Sequence, residues 1–331
     1  MNRRVRRAEV EAARQVLPLA AIHAGRQLLT ELAVVSGKGG TGKTSVVASF
    51  AALARGAVLA DCDVDAADLH LVLAPEVLER HEFVSGHDAV IVEERCNGCG
   101  ECVTVCRFGA IAWPAGDAIP TVDHITCEGC GVCVHLCPVQ AIDFLPRSCG
   151  EWFISDTRCG PMVHARLGIA AENSGKLVSL VRAEARRVAS EQGRGMVLID
   201  GPPGIGCPVI AAITGASAVL AVTEPSVSGE HDLDRVLQLA NHFGVPAAVC
   251  VNRWDLSLEA TERIEAHARM RGATLAGRVR YDPRVTEAQL RGLSVVELGG
   301  DAADDIRSLW QRVGEMCWGR GAAFAAAASQ G

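Results

Sequence analysis

Gly37-Lys38-Gly39-Gly40-Thr41-Gly42-Lys43-Thr44 lies between an apolar run, LAVVS (32–36), and an apolar helical stretch, SVVASFAALAR (45–55). The octapeptide fits G-x-x-x-x-G-K-[ST] without a mismatch. Each residue type has a physical task in that pattern. The glycines allow successive backbone N–H groups to turn inward around a phosphate. The N-terminus of the following helix adds partial positive charge. Lys43 neutralises phosphate charge, and the Thr44 hydroxyl suits Mg²⁺. The candidate nucleotide contacts are therefore Gly37, Lys38, Gly39, Gly40, Thr41, Gly42, Lys43, Thr44 and Ser45.

Outward from this loop the chain alternates strand and helix. A second strand, AVLADCD (57–63), follows the first helix. After an interruption the pattern resumes with a helix near Ser174, a strand MVLID (196–200), and strands at 218–223 and 247–252. Helical periodicity covers 230–242, 257–271 and 302–316. Strands that are apolar almost throughout, alternating with helices, predict an α/β fold with a doubly wound, mostly parallel sheet.

The interruption is a unit of its own. Residues 88–146 hold eight acidic and two basic side chains, a net of −6. Eight of the chain's 14 cysteines fall between Cys96 and Cys137. VEERCNGCGECVTVCRFGAIAW and VDHITCEGCGVCVHLCPVQAIDF align at an offset of 31 residues. Each carries C-x2-C-x2-C-x3-C, the bacterial two-[4Fe–4S] pattern, in which the fourth Cys of each run binds the other cluster. That assigns Cys96, Cys99, Cys102 and Cys137 to one cluster, and Cys127, Cys130, Cys133 and Cys106 to the second. Zinc is the metal alternative, but it needs no third central Cys in each run. Arg107 follows Cys106 where the pattern usually has Pro. It either loosens that turn or offsets cluster charge.

The early lysine of KGGTGKT resembles the deviant Walker A loop of the MinD/ParA/Mrp and nitrogenase-iron-protein ATPases. The resemblance implies that Lys38 reaches across an ATP-dependent homodimer to the partner's nucleotide. There it would act with Lys43 on the transferring phosphate, as an arginine finger does. Asp61-Cys62-Asp63 resembles the first switch, with Asp63 orienting the attacking water and Asp61 supporting Mg²⁺. Asp200-Gly201-Pro202-Pro203-Gly204 resembles the Walker B and second switch, with Asp200 holding Mg²⁺. Asn252 falls where that family reads adenine, with Asp255 as a possible aid. Glu224-Pro225 and Arg280-Tyr281-Asp282-Pro283 fall where it lines the base pocket. Together with the cysteine unit, the chain resembles MinD-superfamily P-loop ATPases that contain an inserted ferredoxin domain.

This reading divides the chain into an unordered extension (1–29), a first ATPase part (30–87), the inserted ferredoxin unit (88–146), a second ATPase part (147–318) and a low-complexity tail (319–331). The expected cofactors are two [4Fe–4S] clusters, ATP and Mg²⁺. The expected function is a slow ATPase whose nucleotide-driven dimer switch is coupled to electron transfer to, or maturation of, a client metalloprotein. Alternatives are an iron–sulfur carrier or redox sensor using ATP as an assembly signal, and a positioning ATPase of the ParA/MinD kind.

Composition bounds the partners. A net charge of −7 argues against nucleic acid. Residues 1–29 carry six Arg and two Glu without a long apolar stretch, unlike a secretory leader. No run reads as a stable membrane insertion. Many free thiols in cluster spacing imply a reducing, cytoplasmic setting. Of the other cysteines, Cys207 stands seven residues past Asp200, the spacing of a cluster ligand in the nitrogenase iron protein. Alone or with Cys159 it is a candidate for a metal site between subunits. His164 reads as packing or switch support.

Overall fold

The computed structural model describes residues 29–116, 118–168 and 174–318. The expected extension, apart from residue 29, and the tail at 319–331 lie outside the described residues. The strands are β1 (Thr30–Ser36), β2 (Val58–Asp61), β3 (Glu76–Ile91), β4 (Ile111–Ala112), β5 (Thr121–Val122), β6 (Ile142–Thr157), β7 (Gly160–Leu167), β8 (Met196–Pro203), β9 (Ala218–Thr223), β10 (Ala247–Asn252) and β11 (Thr274–Val279). The α-helices are α1 (Lys43–Ala54), α2 (Leu69–Leu73), α3 (Glu101–Val105), α4 (Val132–Leu136), α5 (Ser174–Glu191), α6 (Cys207–Ile213), α7 (Val227–His242), α8 (Leu258–Met270), α9 (Arg284–Leu290), α10 (Val295–Leu298) and α11 (Asp301–Trp318).

Alternation along β1 explains the three layers. Leu32 and Val34 enter one core, and Ala33 and Val35 enter the other. A strand buried on both faces must be apolar throughout, which is what the sequence shows. Helices α1, α2, α9, α10 and α11 cover one face, where Phe50 of α1 packs on Trp310 of α11 with ring centroids 4.8 Å apart. Helices α5 to α8 cover the other. Glu31 is buried and paired with Arg182 and Arg186, which pins α5 to the start of β1.

The main sheet has nine strands in the order β11-β10-β9-β1-β8-β2-β7-β6-β3. The first seven run parallel, and β6 and β3 close the edge antiparallel. The sequence reading did not include β3, β6, β7 and β11 of this sheet as strands. β7 is buried beside β2 and pairs His164 with Asp61. β3 and β6 lack an apolar rhythm because much of each is exposed, and β6 carries Pro146 and Gly150. β3 is the edge of the sheet, and Pro146 lies where β6 has run past β7, so one side of the ladder is free there.

That hairpin positions the cysteine unit. Gly150 pairs with Leu167 at the end of β7, and from there β3 and β6 pair only with each other up to Ile91 and Ile142. Eight residues at about 3.3 Å each carry the stalk roughly 26 Å past the C-terminal edge of the sheet. Residues 92–141 sit at its tip. Both strands continue through 87/88 and 146/147, where the register of their pairing shifts between Val84 and His87.

Candidate nucleotide site and cysteine unit

The loop between β1 and α1 takes its shape from two glycines. Gly40 and Gly42 have φ of 79° and 88°. A Cβ on Gly42 would also stand 2.2 Å from Asn252 Nδ2. The Ser36 hydroxyl donates to the Lys38 carbonyl at 2.8 Å, closing the turn. Lys43, 6% exposed, opens α1 and turns its ammonium toward Asp200, with Asp63 at 3.5 Å. Burial alone would push the Lys43 ammonium down, but Asp200, Asp63 and Asp61 hold it above its usual value. Burial and the neighbouring Asp200 raise the Asp61 carboxyl well above the ordinary carboxylate range, and burial also raises Asp63.

Three carboxylates thus share one lysine in a place with little water. Asp61 Oδ2, Asp200 Oδ2 and Thr41 Oγ1 are buried with no hydrogen-bond partner. Orphaned carboxylate oxygens of this kind carry a cost unless a cation or a ligand satisfies them. The donor set is hard oxygen from two carboxylates, with the Thr44 hydroxyl on the adjoining turn. It fits Mg²⁺, which usually keeps water and takes few protein ligands.

One cleft runs from this cluster along the C-terminal edge of the sheet. Gly39 to Ser45 and Asp63 form one end, and Asn252, Arg280, Tyr281 and Asp282 form the other. Asp255 Oδ1 accepts from the Tyr281 backbone N–H at 2.7 Å and steadies that far wall. Asn252 lines the cleft, but its Nδ2 donates to the Thr41 carbonyl at 2.7 Å, so it braces the phosphate loop. Arg253, Val285, Thr286, Gln289 and Ile306 also line it and were not singled out from sequence. Gln289 Nε2 donates to Ser45 Oγ at 2.9 Å. They come from α9, α11 and the turn after β10, and no local spacing links them to the loop.

Three expected residues lie elsewhere. Glu224 is not in the cleft wall: it accepts from Lys38 Nζ at 2.7 Å and from Arg253 at 3.2 Å. Lys38 also donates to Ser228 Oγ at 2.8 Å, so its ammonium faces the start of α7 and not the cleft beside it. Gly37 is outside the wall as well, pressed on α7, where a Cβ would meet Asp232 at 2.4 Å.

In the tip unit the internal repeat is visible as geometry. Gly100 and Gly131 precede α3 and α4 with φ of 77° and 74°. Cys102 and Cys133 are buried, Cys99 and Cys130 exposed, and Cys96, Cys106, Cys127 and Cys137 half-buried. Cys96, Cys99, Cys102 and Cys137 line one pocket, closed by Ile91, Pro120 and Ile142. Three of these thiols come from one repeat and the fourth from the other. Burial raises the Cys102 and Cys133 thiols, and their neighbouring cysteines raise them further. Such thiols need a positive centre to ionise. Among the described residues, no three His, Cys, Asp or Glu side chains converge as a single bound ion would require.

Cys207 is exposed at the start of α6, past the C-terminal end of β8. Cys159 precedes β7 at the opposite edge of the sheet, so one protomer does not bring the two together. His164 is tied to Ser155 at 2.8 Å and stacks on Phe153, a packing role beside Asp61. No described helix is long and apolar enough to cross a membrane.

A family profile described as the CobQ/CobB/MinD/ParA nucleotide binding domain matches residues 32–295. The chain is 32% identical over 227 residues to an uncharacterized protein of Methanocaldococcus jannaschii, MJ0578, covering 67% of this chain and 78% of that protein. A second uncharacterized protein of that organism, MJ0579, is 24% identical, with 87% and 98% covered. In fold, the chain is similar to the septum site-determining protein MinD of Pyrococcus horikoshii, solved with Mg-ADP. The TM-score is 0.51 at 20% identity, covering 86% of this chain and 96% of that one.

Proposed function

Because the chain belongs to the CobQ/CobB/MinD/ParA nucleotide-binding family, we propose that it is a slow, Mg²⁺-dependent ATPase that couples a dimer switch to a pair of [4Fe–4S] clusters at the tip of its hairpin. The phosphate end of ATP would lie on Gly39 to Ser45, with Lys43 on its charge. Thr44, Asp61 and Asp200 would hold Mg²⁺, which offsets phosphate charge. Asp63, next to Lys43, would orient the attacking water. Lys38 faces away from its own cleft, which suits a lysine used by a second copy.

The observation that carries the iron–sulfur half is the pocket lined by Cys96, Cys99, Cys102 and Cys137. It joins thiols from two repeats in the exchange that the two-cluster pattern calls for. The second set would be Cys127, Cys130, Cys133 and Cys106. When bound, the clusters would supply one-electron chemistry. The surrounding chain excludes water through Ala89, Ile111 and Ile142. The stalk places this unit on the same edge of the sheet as the nucleotide cleft. Leu167 N–H meets the Val64 carbonyl just past Asp63, and Gly168 N–H donates to the Cys149 carbonyl of the stalk at 2.8 Å. A change at the switch can therefore reach the stalk through backbone contacts. The acidic tip would present itself to a basic patch on a client metalloprotein in a reducing compartment.

Anaerobic EPR of the reduced protein with and without Mg·ATP tests this reading. Coupling predicts that nucleotide alters the cluster signals or their transfer of electrons to an acceptor. Clusters indifferent to nucleotide would contradict it, and clusters handed to an apo-acceptor would favour a carrier. Family membership also favours a positioning ATPase. That reading requires binding to DNA or liposomes that weakens steeply with salt.

A further inference from the structure

The two repeats are not equivalent toward charge. Arg147 projects from the stalk strand β6, and its Nη1 donates to the carbonyl of Cys127 at 3.0 Å. Its Nε is 3.6 Å from Asp88 Oδ1, a buried oxygen with no hydrogen bond of its own. Both side chains are mostly covered, at 20% and 22% exposure. The guanidinium thus sits between Asp88 and the Cys127 loop, with its positive charge on the Cys127 carbonyl. The repeat offset of 31 matches residue 147 in sequence with Gly116, which carries no charge.

Other charges do not restore the balance. Arg95 adjoins Cys96, but it is exposed and paired with the exposed Asp143, where solvent screens it. Arg107 adjoins Cys106 but is likewise exposed, so solvent screens it as well. His124 approaches Asp88 only to 3.9 Å and is 58% exposed. A buried positive charge favours the reduced, more negative state of a nearby cluster, and charge and solvent access are among the factors that set such potentials.

Building on the iron–sulfur reading above, we infer that Arg147 makes the two clusters unequal. It holds the one bound by Cys127, Cys130, Cys133 and Cys106 at the higher potential, on the side of the insert that rests on the stalk. Arg147 is a positioning residue: it acts through the field at the cluster and through the Cys127 carbonyl.

The test is an EPR-monitored redox titration of the full chain, reconstituted anaerobically. Two couples are expected in the parent protein. Arg147→Gln should move one couple to lower potential by about a tenfold change in its reduced-to-oxidised ratio, about 59 mV for one electron. Asp88→Asn, which removes the opposing charge, should move the same couple upward. Arg147→Lys should recover most of the loss, and the other couple should stay in place throughout. A purely structural role would not produce shifts of opposite sign. Couples that move together, shifts of the same sign, or no shift would overturn the inference and leave the iron–sulfur reading intact. A parent protein without clusters would overturn both. Asp88→Asn and Arg147→Lys keep the test decisive if Arg147→Gln does not fold.

Discussion

Gly129 is pressed so closely on the stalk that a Cβ there would stand 2.3 Å from the His87 carbonyl oxygen. The neighbour is backbone on a paired strand and cannot move aside. Gly129 also has φ of 59°. Gly129→Ala should therefore loosen the tip unit by about 2–4 kcal/mol, combining αL strain with overpacking. Gly109→Ala is the control, since Gly109 shares the left-handed backbone, φ 66°, but has nothing within 4 Å. Its cost should be about 1 kcal/mol. Hydrogen exchange over 92–141 separates the two: the first variant should lose protection there while the nine-stranded sheet keeps its own.

A second close approach guards the phosphate loop. Gly42→Ala would put a methyl on Asn252 Nδ2 at 2.2 Å while forcing φ of 88° on a residue with a side chain. The nucleotide cleft should be distorted more than the fold. We expect Mg·ATP affinity to fall at least about tenfold, about 1.4 kcal/mol, by isothermal titration. Affinity equal to the parent's would mean that the loop does not need this shape.

These two glycines show where the sequence was informative. Gly42 sits in a motif whose chemistry dictates its spacing, so the loop, the strand that leads into it and Asp200 were legible from local pattern. The apolar runs of β1, β8, β9 and β10 also declared themselves, because both faces of those strands are buried. Gly129 was legible only as part of a cysteine repeat, because its contact with His87 depends on how β3 and β6 pair. The hairpin itself was hidden: Glu76 to Arg80 are exposed along their length, which leaves no alternation to read. The far wall of the cleft was partly legible in Arg280 to Asp282. Gln289 was not, as it meets Ser45 across 244 residues of sequence.

The two loop lysines should behave differently. Lys43 is buried against Asp200 and Asp63. Lys43→Ala leaves their charge unmatched and removes the phosphate's cation, so binding should be lost. Lys38 is held by Glu224 and Ser228 outside its own cleft. Lys38→Ala should keep Mg·ATP affinity within about threefold, less than about 0.7 kcal/mol. Its turnover should fall by at least about 10²-fold if the lysine acts in trans as an arginine finger does. Mixing the inactive Lys38→Ala chain with an active one would show whether that role crosses between copies.

His164 gives a pH signature. Burial, with a smaller push from His70, lowers its imidazole to about 4 from the usual 6.5. The unfolded chain therefore takes the proton first as pH falls. Stability should be level above about pH 7 and decline from about pH 6.5 toward pH 4, by at most about 3 kcal/mol. Urea midpoints at pH 7.5 and pH 5 measure this. His164→Gln, which removes the titrating ring, should flatten that part of the difference; an unchanged pH response would assign it to other groups.

The most direct measurement of the central claim is iron and acid-labile sulfide per chain after anaerobic reconstitution, with nucleotide binding measured on the same sample. The account predicts about eight irons and eight sulfides, as two four-iron clusters require, together with Mg·ATP bound at one site per chain. Material that binds the nucleotide but holds no iron–sulfur cluster would contradict it.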